Sequence, residues 1–316
     1  MPVVFLPMME AFIAHYGMVI LFLFGNIGNV FIILLFYQYR KNAWSIYLSS
    51  GTIINIIYLT FDIPIFIYTY FHDEPIPYSL VFCKLRFYLS HVFGQMARYL
   101  FVLACFDRYI LTSRNFHLRN FNRSINAKCS ILLVIIFWCI ICSHQLIFTT
   151  MNNQQCGQFG IYHIINSVYL FISFLIIPSV LMIIFGYLAC HQMKQFGSKI
   201  RPLTNNQNGL IIITRRDREL LLMILTQIFI FCLTTIFYLA ISLELLITIS
   251  RNENKSIERI QIENFILILS TFFIYMNHAA AFYIYMIVSK GFRHDFKKLL
   301  KKCCKQPITA SVIEQR

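Results

Sequence analysis

The stretch that decides the fold occupies residues 129–193 and reads CSILLVIIFWCIICSHQLIFTTMNNQQCGQFGIYHIINSVYLFISFLIIPSVLMIIFGYLACHQM. It contains no Asp, Glu, Lys or Arg, and it is far longer than the about 20 apolar residues that cross a bilayer once. The polar sequence MNNQQCGQ at 151–158 divides it into two apolar parts. The stretch therefore predicts two membrane-spanning helices joined by a polar loop.

The remainder of the chain repeats this pattern, and its composition excludes an ordinary soluble protein. Of its 316 residues, 58% are hydrophobic and 13% are charged, whereas soluble domains average roughly 25% charged residues. Polar segments divide the chain into apolar stretches at about 11–39, 43–71, 80–112, 126–149, 161–192, 215–249 and 262–289. We therefore predict an all-α membrane protein, a seven-transmembrane helix bundle over 11–289, preceded by a short extracellular N-terminus at 1–10.

The charged residues indicate which side of the membrane each connection faces. Lys and Arg number 27 against 13 Asp and Glu, which gives a net charge of +14. Of the 27 basic residues, 21 lie in the connections after spans one, three and five, at the span ends that border these connections, or in the C-terminal segment, and cytoplasmic connections are the basic ones. We expect a multi-pass protein of the plasma membrane with an extracellular N-terminus and a cytoplasmic C-terminus. The basic excess suits anionic membrane lipid and requires no nucleic acid.

An amphipathic segment follows the last apolar stretch. It reads GFRHDFKKLLKK at 291–302, with Phe and Leu at helical spacing and Lys on the other face. This pattern predicts a short amphipathic eighth helix on the inner leaflet, followed by a cytoplasmic tail at 303–316. Cys303 and Cys304 come directly after the segment and are palmitoylation candidates. The alternative is a pair of free cytosolic thiols.

Two cysteines and one asparagine are predicted to face the extracellular side. Of ten cysteines, Cys83 and Cys156 alone are placed outside the membrane on the oxidising side. A disulfide between them would fasten the loop between spans four and five to the start of span three; the alternative is two unpaired thiols. Asn254 begins the sequence Asn-Lys-Ser, which matches the N-glycosylation acceptor pattern.

A three-residue motif stands at the inner end of span three. It is Asp107-Arg108-Tyr109, and Arg108 follows Cys83 by 25 residues. An Arg beside an Asp at a membrane interface is alone a weak signal, but further residues recur with it at matching spacings: Gly28, Asn29, Cys156, Trp138, Pro178, Tyr285, Phe292 and Arg293. Together they resemble the rhodopsin-like (class A) family of G-protein-coupled receptors over nearly the whole chain.

The resemblance implies a receptor that transduces an extracellular ligand to a heterotrimeric G protein by outward movement of span six. It implies no enzyme activity, no cofactor and no metal. The activation switch would consist of Asp107, Arg108, Tyr109, Asp217 and Tyr285. In the resting state Arg108 would pair with Asp107 and with Asp217 at the foot of span six, and a ligand would favour the state in which this tie is broken.

Several positions depart from the family pattern. Span six has Phe237 where the family has the Pro that kinks this helix, and span seven lacks the family's Asn-Pro before Tyr285. The family's intramembrane sodium site uses an Asp in span two, and the corresponding residue here is Asn55. Its other positions hold Ala97, Asn277 and Ala281. No carboxylate remains there for a hard cation, so we predict no modulation by sodium.

The candidate ligand pocket is formed by polar residues in the outer half of the predicted bundle. They are Asp62, Ser90, His91, Gln95, Arg98, Gln145, Glu244, Asn277 and His278. Ser90 stands where amine receptors of the family carry an Asp, which disfavours an amine ligand. Aromatic and amide walls suit a peptide, our first expectation, or else a small neutral or odorant-like chemosensory ligand. A membrane transporter is a more remote alternative, since we find neither internal repeats nor a line of charges.

Arg98 is the most unusual of these residues. It lies ten positions before Arg108, about 15 Å along the helix and close to mid-membrane. A charge at that depth faces the protein interior and needs a partner. Two hypotheses remain open: a buried ion pair, with Asp62 as the first choice and Glu244 as the second, or a contact with an anionic ligand.

Overall fold

The computed structural model describes residues 2–71, 79–113, 124–152, 155–197, 215–251 and 256–313. Within them, seven helices are long and apolar enough to cross a membrane. They are called spans one to seven and run Phe5–Tyr37, Ala43–Phe71, Leu80–Thr112, Ser124–Phe148, Ile161–Met193, Arg218–Tyr238 and Ile257–Ala279. The prediction of an all-α, seven-helix membrane bundle is confirmed.

The individual helices differ from the spans where a turn changes type or a helix breaks. Their bounds are Pro2–Phe12, Met18–Tyr37, Ala43–Phe71, Leu80–Thr112, Ser124–Ile141, His144–Phe148, Ile161–Leu170, Ile177–Gly197, Arg215–Arg251, Ile257–Ala279, Ala281–Val288 and Lys290–Ile313. Two π-helical turns, Ile13–Gly17 and Phe171–Ile176, continue the chain within spans one and five. The first helix begins at Pro2, so most of the segment expected as a short N-terminus continues the helix of span one.

The π-helical turn of span five has a cause in the sequence. Pro178 has no N–H, so it cannot bond to the carbonyl of Phe174 one turn earlier, and such helices commonly widen or kink. The widened turn places Ser173 against span three. There the Ser173 hydroxyl accepts a bond from Gln95 Nε2 at 3.1 Å, and its carbonyl accepts one from the Tyr99 hydroxyl at 3.2 Å.

Spans six and seven show what replaces the missing prolines. Thr234 and Thr235 donate their hydroxyls to carbonyls one turn earlier, at 2.8 and 2.6 Å, a bond that bends helices slightly. Span six otherwise stays one helix, Arg215–Arg251. The last membrane helix breaks at Ala280, between Ala279 and the short helix Ala281–Val288, which is counted below as the last part of span seven. The chain therefore interrupts this helix without a proline.

Small residues bring spans one and seven into close contact. A Cβ atom at Gly25 would lie 2.7 Å from the Cβ of Ala279, and one at Gly28 would lie 3.0 Å from the Cβ of Phe282. Membrane helices associate mainly through such close packing, since lipid supplies no hydrophobic drive between them. The two glycines therefore fix how closely span one approaches the helix that carries Tyr285.

A short hairpin covers the outer end of spans three to five. Its strands, Thr150–Asn152 and Gln155–Gly157, pair antiparallel with Met151 opposite Cys156. Cys156 is bonded to Cys83 with a Cα–Cα distance of 5.8 Å, within the usual range for disulfides. The predicted disulfide is confirmed, and it ties the hairpin to the first turn of span three.

The helix Lys290–Ile313 follows span seven and has the predicted amphipathic character. Phe292 is buried against Phe36 and Tyr285, with ring centroids 6.0 and 5.6 Å apart, while Lys297 and Lys298 are exposed. The helix continues beyond residue 302 into the segment expected as a tail. The side chains of Cys303 and Cys304 lie outside the described residues, and so does Asn254.

Candidate functional site

The Asp-Arg pair of span three is buried at the inner end of the bundle. Arg108 Nη2 lies 2.7 Å from Asp107 Oδ2, and the two side chains are 3% and 4% exposed. The guanidinium also lies 5.9 Å from the ring centroid of Trp44 at the start of span two. A charge pair this buried is costly to separate, unlike an ion pair at the surface.

The structure describes the side chain of Tyr109 but not that of Asp217, another predicted switch residue. Tyr109 is half-buried and stacks on Phe185 of span five, with centroids 6.1 Å apart. Near it, Thr112 donates to Gln192 at 3.0 Å, which connects the ends of spans three and five. The side chain of Asp217 lies outside the described residues, so its contact with Arg108 stays a prediction.

Span six is joined to the end of the bundle by two polar contacts. Tyr285 donates its hydroxyl to Gln227 Oε1 at 2.8 Å. Lower down, Glu219 Oε2 accepts bonds from Ser289 Oγ at 2.8 Å and from the backbone N–H of Gly291 at 2.6 Å. The first turn of a helix has N–H groups without partners inside it, and Glu219 satisfies one of them in the helix after span seven. Sequence reasoning missed Glu219, whose only signal was its position two residues after Asp217.

A compact polar network crosses the middle of the bundle. His278 Nδ1 donates to Asn55 Oδ1 at 2.8 Å, and Asn29 Nδ2 donates to the carbonyl of His278 at 3.1 Å. Asn277 Nδ2 donates to Thr234 Oγ1 at 2.6 Å, which connects spans seven and six. His278 and Asn277 therefore hold span seven to spans one, two and six.

A small cavity of about 60 Å³ lies beside this network. The four positions that correspond to the family's sodium site all line it, namely Asn55, Ala97, Asn277 and Ala281. Arg98 and His278 line it as well. Among the described residues of the lining none is acidic and one is a permanent cation, which is the opposite of what a sodium ion requires.

Arg98 is buried, at 4% exposure, but not in an ion pair with either predicted acid. Its Nη1 donates to the carbonyl of Gly94 at 2.6 Å, and its guanidinium carbon lies 3.1 Å from the ring centroid of Phe174. Within the described part of the chain its Nε has no hydrogen-bond partner. The hypothesis of a direct ion pair with Asp62 is therefore wrong for this structure.

Asp62 has hydroxyl groups as its hydrogen-bond partners, and Arg86 interacts with it electrostatically. Ser90 donates to Asp62 Oδ1, and Tyr275 donates to Asp62 Oδ2 at 2.8 Å. Tyr58 lies between Asp62 and Arg98 and interacts with both side chains. Hydroxyl donors thus satisfy the carboxylate and separate it from the guanidinium.

Glu244 lies apart from the other pocket candidates. Its side chain is 47% exposed and sits 3.4 Å from Arg259 at the start of span seven. Arg259 also lies 3.1 Å from Glu263, one turn along the same helix. The exposed pair of Arg259 with Glu244 contributes little, about 0–1 kcal/mol, whereas the side chain of Glu263 is buried, at 7% exposure. The structure therefore places Glu244 in an ion pair between the outer ends of spans six and seven.

Three amide side chains form a closed ring beneath the hairpin. Gln145 donates to Asn166 at 2.5 Å, Asn166 donates to Gln158 at 2.6 Å, and Gln158 donates to Gln145 at 2.6 Å. The ring joins span four, the hairpin loop and span five. His91, by contrast, bonds to the carbonyl of Phe87 in its own helix at 2.7 Å. The sequence singled out Gln145 and missed its two partners, which lie 13 and 21 residues away along the chain.

The predicted site residues thus fall into three separate groups. Asp62 and Ser90 lie together in the outer half, with Arg98, Asn277 and His278 around the central cavity. Asp107 and Arg108 lie at the inner end of span three, and Tyr285 contacts span six. Along the bundle the groups run from that around Asp62 and Ser90, through the central cavity, to the charge pair of span three.

Comparison with known proteins agrees with this geometry. The family model for the 7 transmembrane receptor (rhodopsin family) matches residues 28–285. One curated human protein, Olfactory receptor 1L1, is 28% identical over 148 residues, which cover 45% of this chain and 40% of that protein. The matched region thus spans well under two thirds of that relative. The family match covers most of the chain, from the last part of span one to Tyr285, and the chain belongs to the rhodopsin family of seven-transmembrane receptors.

Proposed function

We propose that this receptor transduces a small extracellular chemosensory ligand to a heterotrimeric G protein from the plasma membrane, with its N-terminus outside. The observation that carries the proposal is the buried pair of Arg108 and Asp107 at the inner end of span three. An arginine that pairs with the adjacent carboxylate at this end of span three can exchange partners when neighbouring helices move. The basic inner connections support the same orientation.

The activation step follows from the contacts of span six. Three polar contacts hold it to span seven and to the helix that follows: Asn277 with Thr234, Tyr285 with Gln227, and Glu219 with Ser289 and Gly291. Outward movement of span six would break these contacts and open the inner face beside Arg108. A ligand drives that movement only by binding the open state more tightly than the closed one.

Two observations favour a small ligand. The curated relative is an olfactory receptor by name, although its match covers 40% of that protein. In the outer half, the amide ring and the contacts of Asp62 with Ser90 and Tyr275 occupy many of the polar groups that line the bundle. A peptide ligand stays a prediction that the same experiment tests.

The test is a ligand screen on cells that express the chain with a promiscuous G protein. Volatile and other small organic compounds form one panel, and peptides form the other. Each hit is repeated with Arg108→Ala at matched surface expression. Responses to small compounds that vanish in Arg108→Ala support the proposal. Responses confined to peptides reverse the choice of ligand class, and responses that persist in Arg108→Ala contradict the role of the charge pair.

A further inference from the structure

The central cavity and Arg98 together require an explanation that the receptor mechanism does not supply. Arg98 carries a permanent charge near mid-membrane and is 4% exposed. Its described polar contacts are the carbonyl of Gly94, the ring of Phe174 and the hydroxyl of Tyr58. These groups carry no net charge. An isolated charge in such a place is costly, and intramembrane charges normally pair with an opposite one.

The acids that the sequence offered as partners are engaged elsewhere. Asp62 accepts hydrogen bonds from Ser90 and Tyr275, and Glu244 is exposed beside Arg259. Each lies beyond ion-pair distance of Arg98. Within the described residues, the charge of Arg98 is therefore balanced by dipoles and an aromatic ring, and its Nε has no hydrogen-bond partner.

The cavity next to Arg98 has a mostly apolar lining that carries a few polar groups, and it is large enough for a small ion. Its volume is about 60 Å³, whereas a site for one water needs roughly 10–15 Å³. Amide groups of Asn55, Asn277 and Gln227 line it, together with Thr235. Because an amide oxygen only accepts, Asn55 Oδ1 must receive its bond from His278 Nδ1, and the amide keeps its two N–H donors.

We propose that this cavity binds a small monovalent anion, a halide or a carboxylate group, with Arg98 as the counter-charge and amide N–H groups as further donors. The anion would neutralise the guanidinium and give its Nε an acceptor. The site does not depend on the identity of the extracellular ligand or on G-protein coupling. It would be loaded in the resting protein from the surrounding salt.

An anion in the cavity would also affect how the spans that line the cavity are held together. Its lining includes Gln227 and Thr235 of span six, and Asn277 and Tyr285 beyond the middle of span seven. An anion bound between Arg98 and these walls would hold spans three, six and seven together. Occupancy should therefore raise the stability of the folded bundle, since any ligand that binds only the native state does so.

The experiment is thermal unfolding of the purified full chain in lipid nanodiscs, followed in sodium chloride, sodium formate and sodium gluconate at equal ionic strength. Gluconate, a bulkier and strongly hydrated anion, sets the baseline. We expect chloride or formate to raise the Tm saturably, by roughly 5 °C at about 100 times its Kd. Binding of radioactive chloride should saturate near one ion per chain if the halide is the ligand.

Variants decide whether the effect belongs to this site. In Arg98→Met the anion-dependent rise in Tm should disappear, and in gluconate its Tm should equal or exceed that of the wild type, because an uncompensated charge has been removed. Arg259→Met, which removes an exposed arginine from an ion pair with Glu244, should keep the full rise. If Arg98→Met does not fold, Ala97→Val serves instead, since it narrows the cavity and leaves Arg98 in place.

Each outcome decides the proposal. A rise in Tm with chloride or formate that is lost in Arg98→Met or Ala97→Val supports it, and the more effective salt identifies halide or carboxylate as the preferred chemistry. Equal Tm values in all three salts contradict it. A rise that persists unchanged in the cavity variants also contradicts it, because the anion then acts elsewhere on the protein.

Discussion

Replacing Glu219 by alanine should raise the signalling of this receptor in the absence of ligand. Glu219 lies at the foot of span six, and one of its oxygens accepts bonds from Ser289 at 2.8 Å and from the N–H of Gly291 at 2.6 Å. Both donors belong to the segment where span seven passes into the next helix. The two bonds exist only while span six stays close, so their loss should favour the state in which span six has moved outward.

The size of the effect follows from the strength of these bonds. A hydrogen bond to a charged group contributes about 1.5–3 kcal/mol, but Glu219 is only half-buried and Gly291 is exposed, so water replaces part of the loss. We take about 1–2 kcal/mol for both together. This corresponds to a factor of roughly 5–30 in the equilibrium between closed and open states. If about 1% of the receptor is open at rest, basal signalling should rise by about 5- to 20-fold.

The assay measures second-messenger production or G-protein dissociation in cells without added ligand, normalised to receptor at the cell surface. Glu219→Gln should give a smaller rise, because its amide oxygen still accepts a bond but lacks the charge. The matched control is Glu244→Gln, at the other end of the same helix in an exposed ion pair with Arg259. If Glu219→Ala signals no more than Glu244→Gln at equal surface expression, Glu219 does not restrain span six.

Three further predictions concern packing, the disulfide and the predicted lock. Gly25→Ala should lower the Tm by forcing a Cβ to within 2.7 Å of Ala279, at a cost of about 1–3 kcal/mol. Gly51→Ala should leave the Tm unchanged, because the nearest neighbouring atom to its Cβ would lie at 3.7 Å, and equal Tm values for the two variants would refute this packing. Cys156→Ser should destabilise the protein by about 2–4 kcal/mol, and dithiothreitol should lower the Tm of the wild type but not of the variant. Asp217→Ala should raise basal signalling at matched surface expression, and unchanged basal activity would remove Asp217 from the switch.

The sequence predicted the helices well because a membrane imposes a simple rule of length. A crossing helix needs about 20 apolar residues, and charged or polar segments separate such stretches clearly in this chain. The disulfide was equally predictable, since the predicted topology placed Cys83 and Cys156 alone among the cysteines on the extracellular side. The structure joins these two residues. Both predictions depend on short-range pattern and on which side of the membrane a residue faces.

The surroundings of the buried charges were harder to predict from the sequence, because they depend on residues far apart in sequence. Arg98 and Asp62 lie at similar depth, and opposite charge suggested an ion pair. The structure instead satisfies Asp62 with Ser90 and Tyr275, the latter 213 residues away. Nothing in the local sequence indicates that Phe174 would cover Arg98, since that contact follows from the π-helical turn before Pro178.

Glu244 and Glu219 illustrate the same limit at the two ends of span six. Glu244 sits in an apolar stretch and was assigned to the pocket, but the helix continues to Arg251 and leaves it exposed beside Arg259. Glu219 resembled one more charge on the cytoplasmic side. Its role depends on the position at which span seven ends, and that position is set by the break at Ala280 and the contacts of Phe292.

The most direct test of the account is nucleotide exchange on purified G protein. The full chain is reconstituted in nanodiscs with a panel of heterotrimeric G proteins, and the rate of GTPγS uptake is measured for Glu219→Ala and for the double variant Glu219→Ala/Arg108→Ala. Thermal unfolding verifies that both are folded. The account predicts that Glu219→Ala accelerates uptake on at least one G protein and that the double variant does not. Equal acceleration by both variants would show that the buried pair of Asp107 and Arg108 takes no part in coupling, and no acceleration on any member of the panel would contradict the restraint of span six by Glu219.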